Sequence, residues 1–499
     1  MIIRLRRVLL VGVILVCLVT LALAMTGHFK PPAPPEPPRA QPGESPVHKG
    51  KLDFESQHFR EFNLPRTDET GRRESIIEGE YAILQKNRYY EITQPRITVF
   101  GSPKTKAGDP QAVIITAHKA TLDKITQAGT LEGGVVMQEA VPDGQSALPK
   151  PDGTRAATDK LDYIPERKRV ATDSPVALTS KGIRVNGRGL EADTVAETIT
   201  LKHDVEVELE GVEGGFFAAA QGKPGGRKPR PPKPGPPDLV RIACGGSLLY
   251  QRGPNVATFS DGVKATRGES SLTSDQMVVF IDAQTRKVSK LDATGNVKVV
   301  DAAQQGAGAK LNWDAQAQTG LLAGDPARLF MKGTTLEAKK ITFNQKENKI
   351  TTEGGGHLVA TAKPPASAGQ KPSAKTPADD KVDVVWQGNM IFDGARHTAV
   401  FYDAVQLTRA TGKLDCQRLE LVLDEQHEQV KKLVATDKVR MVDADKEAEG
   451  DELLWNADDQ TGVLSSRSAA RVKQGNVSLS AQRMNLDERN SNLTTQGGG

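Results

Sequence analysis

One phrase of small and apolar positions recurs along the chain. It is a small residue, two variable residues, an aliphatic residue, one more position, and a large apolar residue. It reads Ser274, Met277, Val279 in one place and Ala338, Ile341, Phe343 in another. Further copies are Cys416, Leu419, Leu421 and Ala481, Met484, Leu486. Varied copies begin at Ala117, Thr158, Ala192, Gly245, Gly308, Gln387 and Gly450. Most neighbouring copies lie about 30 residues apart, the period of one supersecondary unit stacked many times.

Each phrase is followed by a polar turn and then by strict alternation. Leu291, Ala293, Gly295, Val297 and Val299 fall on one face, as do Leu433, Ala435, Asp437, Val439 and Met441. The same beat reads Leu321, Ala323, Asp325, Ala327, Leu329 and Leu464, Ser466, Ser468, Ala470, Val472. A period of two marks a strand with one buried face. In the phrase itself the step from Ser274 to Met277 is odd, so that strand needs a bulge or bend to re-aim its side chains. Each repeat is expected to be two short strands joined by a polar turn. No amphipathic helix competes, so the prediction is an all-β array of stacked antiparallel strands with an apolar seam and charged outer faces.

The N-terminus departs from this beat. Arg4, Arg6 and Arg7 precede an uncharged apolar run from Val8 to Met25, about the minimum length for a membrane helix. Residues 1–25 are expected to be a transmembrane anchor or a signal segment. A cleavage site at Ala22-x-Ala24 would release a soluble protein, and retention would leave a single-pass membrane protein. Residues 26–50, with six prolines from Pro31 to Pro38, form a stiff linker. Residues 51–110 and 111–499 make up the β regions, interrupted by polar inserts at 221–238 and 362–380. The first insert carries five basic residues, from Lys223 to Lys233.

Composition narrows the function classes. Aromatic residues are only 4% of the chain, which suits stacked units better than one deep core. A net charge of +4 gives no reason to expect nucleic acid as a partner. The histidines are scattered and form no metal-ligand spacing, and no nucleophile elbow or phosphate loop is present. No enzyme, cofactor or metal is expected. Cys416 fills the small slot of its repeat and Cys244 lies one residue before Gly245, so the two thiols are expected on opposite faces, without a disulfide.

The candidate site is the seam itself: Met277, Val279, Leu291, Val297, Leu311, Trp313, Ile341, Phe343, Leu419, Leu421, Leu433, Val439, Leu453 and Trp455. One reading is a closed core, which makes the protein a structural or adhesive envelope β-solenoid. The other is an apolar trough for lipid chains, with the small Ala293, Gly295 and Ala435 leaving room. Burial of acyl chains is favourable by about 0.8 kcal/mol per methylene.

The segments LTSDQMVVF, LDATGNVKVV and LEAKKITFNQKENKI resemble the repeat of the OstA/LptA-like family. GAKLNWDAQAQTGLLAGDPARL and GDELLWNADDQTGVLSSRSAARV resemble its second repeat form. FNLPRTDETGRRESIIEGEYAILQKNRYYEITQPRITVF, after a short apolar segment, resembles the opening of LptC-type proteins. The resemblance implies an elongated, twisted OstA-like β-jelly roll whose interior carries lipid A acyl chains in lipopolysaccharide export. It implies lipopolysaccharide or a related lipid and inner-membrane ABC transporter components as partners, with the bulk of the chain in the periplasm. The last segment, Asn492–Gly499, begins like a second-half strand without its Val-x-Val end. An unpaired edge is therefore expected there, open to an outer-membrane or bridge component.

Overall fold

The computed structural model describes residues 56–497, apart from 101–111, 211–238, 363–379 and shorter stretches of up to four residues at turns. The expected membrane segment 1–25, the linker 26–50 and the insert 221–238 lie outside the described residues. Of the insert 362–380, only Ala362 and Asp380 are described, and they are direct cross-strand partners. Among the described residues the regular structure is β-strand, save one 3₁₀ turn at Pro165–Arg167. No helix there is long and apolar enough to cross a membrane.

Contacts divide the chain into two compact units. One holds residues up to 213, 231–268 and 276–288; the other holds 269–275 and the residues from 289 onward. In each, strands pair antiparallel, mostly with their neighbours in sequence. The second unit runs through Val288–Asp301, Gln304–Asp314, Thr319–Met331, Thr334–Asn344 and Lys349–Ala362. Lys349–Ala362 then takes two short strands, Asp380–Trp386 and Met390–Asp393, end to end along one edge. The series resumes at Thr398–Arg409 and ends at Asn492–Gln496. The first unit uses the same device, with Thr198–Glu210 taking Leu239–Cys244 and Leu248–Gln251.

The strands are longer than the sequence suggests. Those of the second unit's first half are 11 to 14 residues each, so a repeat is two long strands rather than two short ones. Each long strand bends at a corner. In Val288–Asp301 the register passes from Thr294↔Lys310 to Val297↔Gly308, which places one extra residue on that strand. Gly295 and Asn296 occupy the corner with φ of 75° and 47°. Asp403-Ala404 and Asp437-Lys438 make the same left-handed pair three and four repeats on. A bulge of this kind sharpens the twist and turns the strand. Ala293 and Val297, on either side, are both buried, so the two halves of the strand present one continuous inner surface.

Polar side chains complete the corners. The Asp451 carboxylate accepts the Arg467 N–H at 2.7 Å and the Ser466 hydroxyl at 3.0 Å. These bonds, led by the backbone one, hold its carboxyl below the usual value. The side-chain amide of Asn296 donates to Asp275 at 3.0 Å. The Arg467 N–H, which the bulge removes from the ladder, thereby finds an acceptor.

Three expectations are corrected by these corners. Gly295 and Asp437 sit in left-handed corners rather than on the inner beat. In Thr319–Met331 the inner residues before the corner are Gly320 and Leu322, not Leu321 and Ala323, because the irregular step from Ala323 to Ala327 shifts the phase. Cys244 and Cys416 both point inward, each within its own unit. Cys244 alternates with buried Val240 and Ile242, since Gly245 lies beyond the end of the strand. Both thiols are free, and burial raises both, Cys416 to about 12. The odd step in the phrase is a bend as expected: Ser270, Leu272 and Ser274 are buried, two residues are exposed, then Met277 and Val279 are buried.

Candidate functional site

Two cross-strand ladders build the seam of the second unit. The inner one passes through directly opposed residues: Ala293, Leu311, Leu322, Ile341, Thr352, Met390, Phe401, Leu419, Ala435, Leu453, Leu464 and Met484. Every one is buried. Burying each large apolar side chain contributes about 1.5–3 kcal/mol. The outer ladder lies two residues nearer the turns. It runs Leu291, Trp313, Gly320, Phe343, Ile350, Phe392, Ala399, Leu421, Leu433, Trp455, Gly462, Leu486 and Leu493. Leu291, Phe343, Ile350, Phe392, Leu433, Trp455, Leu486 and Leu493 are only half-buried. Trp313 and Phe343 stack with ring centroids 5.9 Å apart.

The same outer ladder in the first unit is sealed. Leu84, Tyr90, Leu122, Gly129, Tyr163, Val170, Ala192, Ile199, Tyr250 and Ala257 succeed one another across it. All but the half-buried Gly129 are buried. Groups from the far half of the strands reach over it. Arg66, at the opposite end of its strand from Ser56, donates to the Thr126 carbonyl at 3.1 Å. Tyr163 faces Ser75 and Arg66, and burial pushes its phenol up to about 12 against the pull of Arg66 and Ser75.

The structure thus sorts the fourteen predicted residues. Met277, Val279, Val297, Leu311, Trp313, Ile341, Leu419, Leu421, Val439 and Leu453 are buried. Leu291, Phe343, Leu433 and Trp455 lie at the half-exposed outer ladder. Met277 and Val279 belong to the first unit, the other twelve to the second. The small residues do not leave empty room. Ala293 and Ala435 are fully buried, and a Cβ on Gly308 would stand 3.0 Å from Leu322 Cδ1. Gly450 meets Leu464 in the same way, at 2.8 Å. The small slot is therefore occupied by the leucine of the following strand.

Trp386, Met390 and Phe401 were missed by the sequence reading. Trp386 packs on Phe401 at 5.0 Å between ring centroids, and its buried Nε1 has no hydrogen-bond partner. Their phrase, beginning at Gln387, is broken by the gap between two short strands, which hides its spacing. A surface cleft of about 380 Å³, bounded in part by Gly134, Ala157, Pro175 and Gly187, contains none of the predicted residues. No cluster of potential metal ligands occurs among the described residues.

Two family models match successive parts of the chain. The family of lipopolysaccharide-assembly, LptC-related proteins matches residues 15–210. The LptA/(LptD N-terminal domain) LPS transport protein family matches residues 247–349 and 388–492. Among solved structures, LptH, the LptA homologous periplasmic component of the lipopolysaccharide transport device from Pseudomonas aeruginosa, is 15% identical. That match covers 28% of this chain and 93% of LptH, with a TM-score of 0.22. A search of the curated proteins finds no match. From Lpt-type regions that together take in most of its length, the chain belongs to the lipopolysaccharide-transport family, joining an LptC-related region to LptA/LptD N-terminal-type regions.

Proposed function

We infer that this protein is a membrane-anchored conduit for lipid in lipopolysaccharide export. Residues 8–25 hold it in the inner membrane and the β units lie in the periplasm. Lipid handed over by an ABC transporter rests its acyl chains along the outer ladder of the second unit. The observation that carries this reading is the contrast between two equivalent ladders: one sealed in the first unit, one half-exposed along Leu291, Phe343, Leu433 and Trp455 in the second. A row of apolar side chains left at a rim is a surface that acyl chains cover favourably. The inner ladder is its floor, so the chains lie at the rim rather than deep between the strands.

Onward transfer uses the edge of the last long strand. The Val477–Ala481 half of Val477–Asp487 has a partner strand on one side, and no described strand on the other. Leu479 is 42% exposed there. A bridge or outer-membrane component adds a strand at this edge.

The test is a photo-crosslinking side chain at Phe343, Leu433 or Trp455 in cells making lipopolysaccharide. Lipid adducts at these sites support the conduit. Adducts to protein alone at all three would overturn it and favour an envelope solenoid that binds no lipid.

A further inference from the structure

We propose that two adjoining turns of the first unit, Lys86–Arg88 and Lys124–Thr126, dock on the surface of an anionic phospholipid bilayer. Ile125 and Tyr89 enter the headgroup layer, and Lys86, Arg88 and Lys124 meet the phosphates. This rests on the anchored reading given above.

Among the described residues, Ile125 is the most exposed large hydrophobic residue, at 89%. It is held out by a built turn. Asp123 Oδ1 accepts the N–H groups of Ile125 and Thr126, both at 2.9 Å, and the Thr126 hydroxyl at 3.1 Å. The Asp123 N–H closes the turn on the Ala128 carbonyl at 2.8 Å. The turn N–H groups hold this carboxyl below its usual value. Its Oδ2 lies 3.8 Å from Arg88 Nε and so ties this turn to its neighbour. A preformed turn loses little conformational freedom on docking.

The neighbouring turn adds the charge. The Lys124 N–H donates to the Arg88 carbonyl and Lys124 Nζ to Asn87 Oδ1, each at 2.8 Å. Arg88 lies over the Tyr89 ring, 4.9 Å from its centroid. Three exposed cations thus surround one aliphatic and one aromatic side chain, with Glu166 the exposed acid of a nearby turn. Aromatic and aliphatic groups ringed by Lys and Arg suit the interface of an anionic bilayer.

Two further observations select this edge. Similarly capped turns of the second unit, led by Asp314, Asp393 and Asn456, carry Gln316, Ala395 and Asp458 where this one carries Ile125. Those residues give a bilayer nothing apolar of size to take up. In addition, Ser56 pairs with Gln85, the residue before Lys86. The first described residue thus stands at this same edge.

The test uses the full chain with Cys17→Ala and Ile125→Cys, labelled with an environment-sensitive fluorophore. Cys244 and Cys416 are buried and stay unlabelled. Vesicles of phosphatidylethanolamine with phosphatidylglycerol should shift the emission to the blue, with quenching by shallow spin-labelled lipid. The probe at Gln316→Cys should stay water-like. Arg88→Glu with Lys124→Glu should reduce the quenched population by at least about fivefold. Water-like emission at position 125, an equal shift at position 316, or a shift that needs an added membrane protein each overturns the proposal. Vesicle flotation reads the anchor separately. A chain that floats with a water-like probe loses this contact and keeps its anchor. A quenched probe on a chain that floats only through this edge keeps the contact and loses the anchor.

Discussion

The ring of Phe343 occupies the space that a side chain on Gly320 would need. The two residues are direct cross-strand partners, and Gly320 is also the partner of Trp313. Glycine in this strand is thus a place for a ring, as Gly462 is beside Trp455. Gly320→Ala must push Phe343 off Trp313 and should destabilise the fold by about 1–3 kcal/mol. Gly412→Ala, where the nearest atom is 3.4 Å away, should change stability far less. Urea unfolding of both variants makes the comparison.

The two ladders should differ in mutational cost. Leu419 is fully buried on the inner ladder and Leu433 half-buried on the outer one. Leu419→Ala should cost about 2–5 kcal/mol, and Leu433→Ala clearly less. Equal losses by chemical denaturation would mean that the outer ladder is core rather than rim.

Alkaline pH should unfold the first unit through Tyr163. Its folded phenol ionises at about 12 because it is buried, whereas an unfolded tyrosine ionises near pH 10, roughly. Its contribution is fully present below about pH 10 and is lost as pH rises toward 12, since the unfolded chain releases the proton first. Cys416, also raised by burial to about 12, acts with the same sign in the second unit from about pH 9 upward. Tyr163→Phe should flatten the fall in stability between about pH 10 and 12, and Cys416→Ala the fall that begins lower. An unchanged slope in Tyr163→Phe would show that the phenol is not sealed.

The corner at Asp451 should matter at the acid end. Its carboxyl is held below the usual value, so its contribution is present above the unfolded value and lost as pH falls through the folded one. Asp451→Ala should lower the melting temperature at neutral pH more than Asp451→Asn, which keeps an acceptor for the Arg467 N–H. The advantage of the wild-type carboxylate over Asp451→Asn should vanish in strong acid, as followed by thermal melts across pH.

The C-terminal edge should be separable from the seam. Val477→Lys with Leu479→Lys should weaken capture of a partner strand while leaving crosslinking at Phe343 intact, because charge on an open edge opposes strand addition. Loss of both would tie the edge to the seam's own folding.

The repeat phrase made the strand array legible, because inward and outward positions alternate with a period too regular for any other element. Ten of the fourteen seam residues are buried, and Leu291, Phe343, Leu433 and Trp455 form a rim. Phase was harder to read. Gly295, Asp437 and the Gly324-Asp325-Pro326 step look like beats of a strand, but their left-handed or irregular backbone shifts the register by a residue or more. The role of the small residues was also hidden. Gly308 is small because Leu322 of the next strand reaches it, a contact between positions 14 apart that local pattern does not encode. Beside the sealed outer ladder, Arg66 reaches the carbonyl of Thr126, 60 residues on. No spacing in the sequence announces it.

The pairing of Ala362 with Asp380 carries a consequence for how such a chain is altered. The segment between them leaves and re-enters the sheet at one rung, so its length has no effect on the alignment of the strands before or after it. The site is a natural graft point: a folded tag or a flexible tether placed there changes what the sheet carries and not how it is knitted. An array with such rungs can gain or shed cargo by insertion alone, without renegotiating a single register.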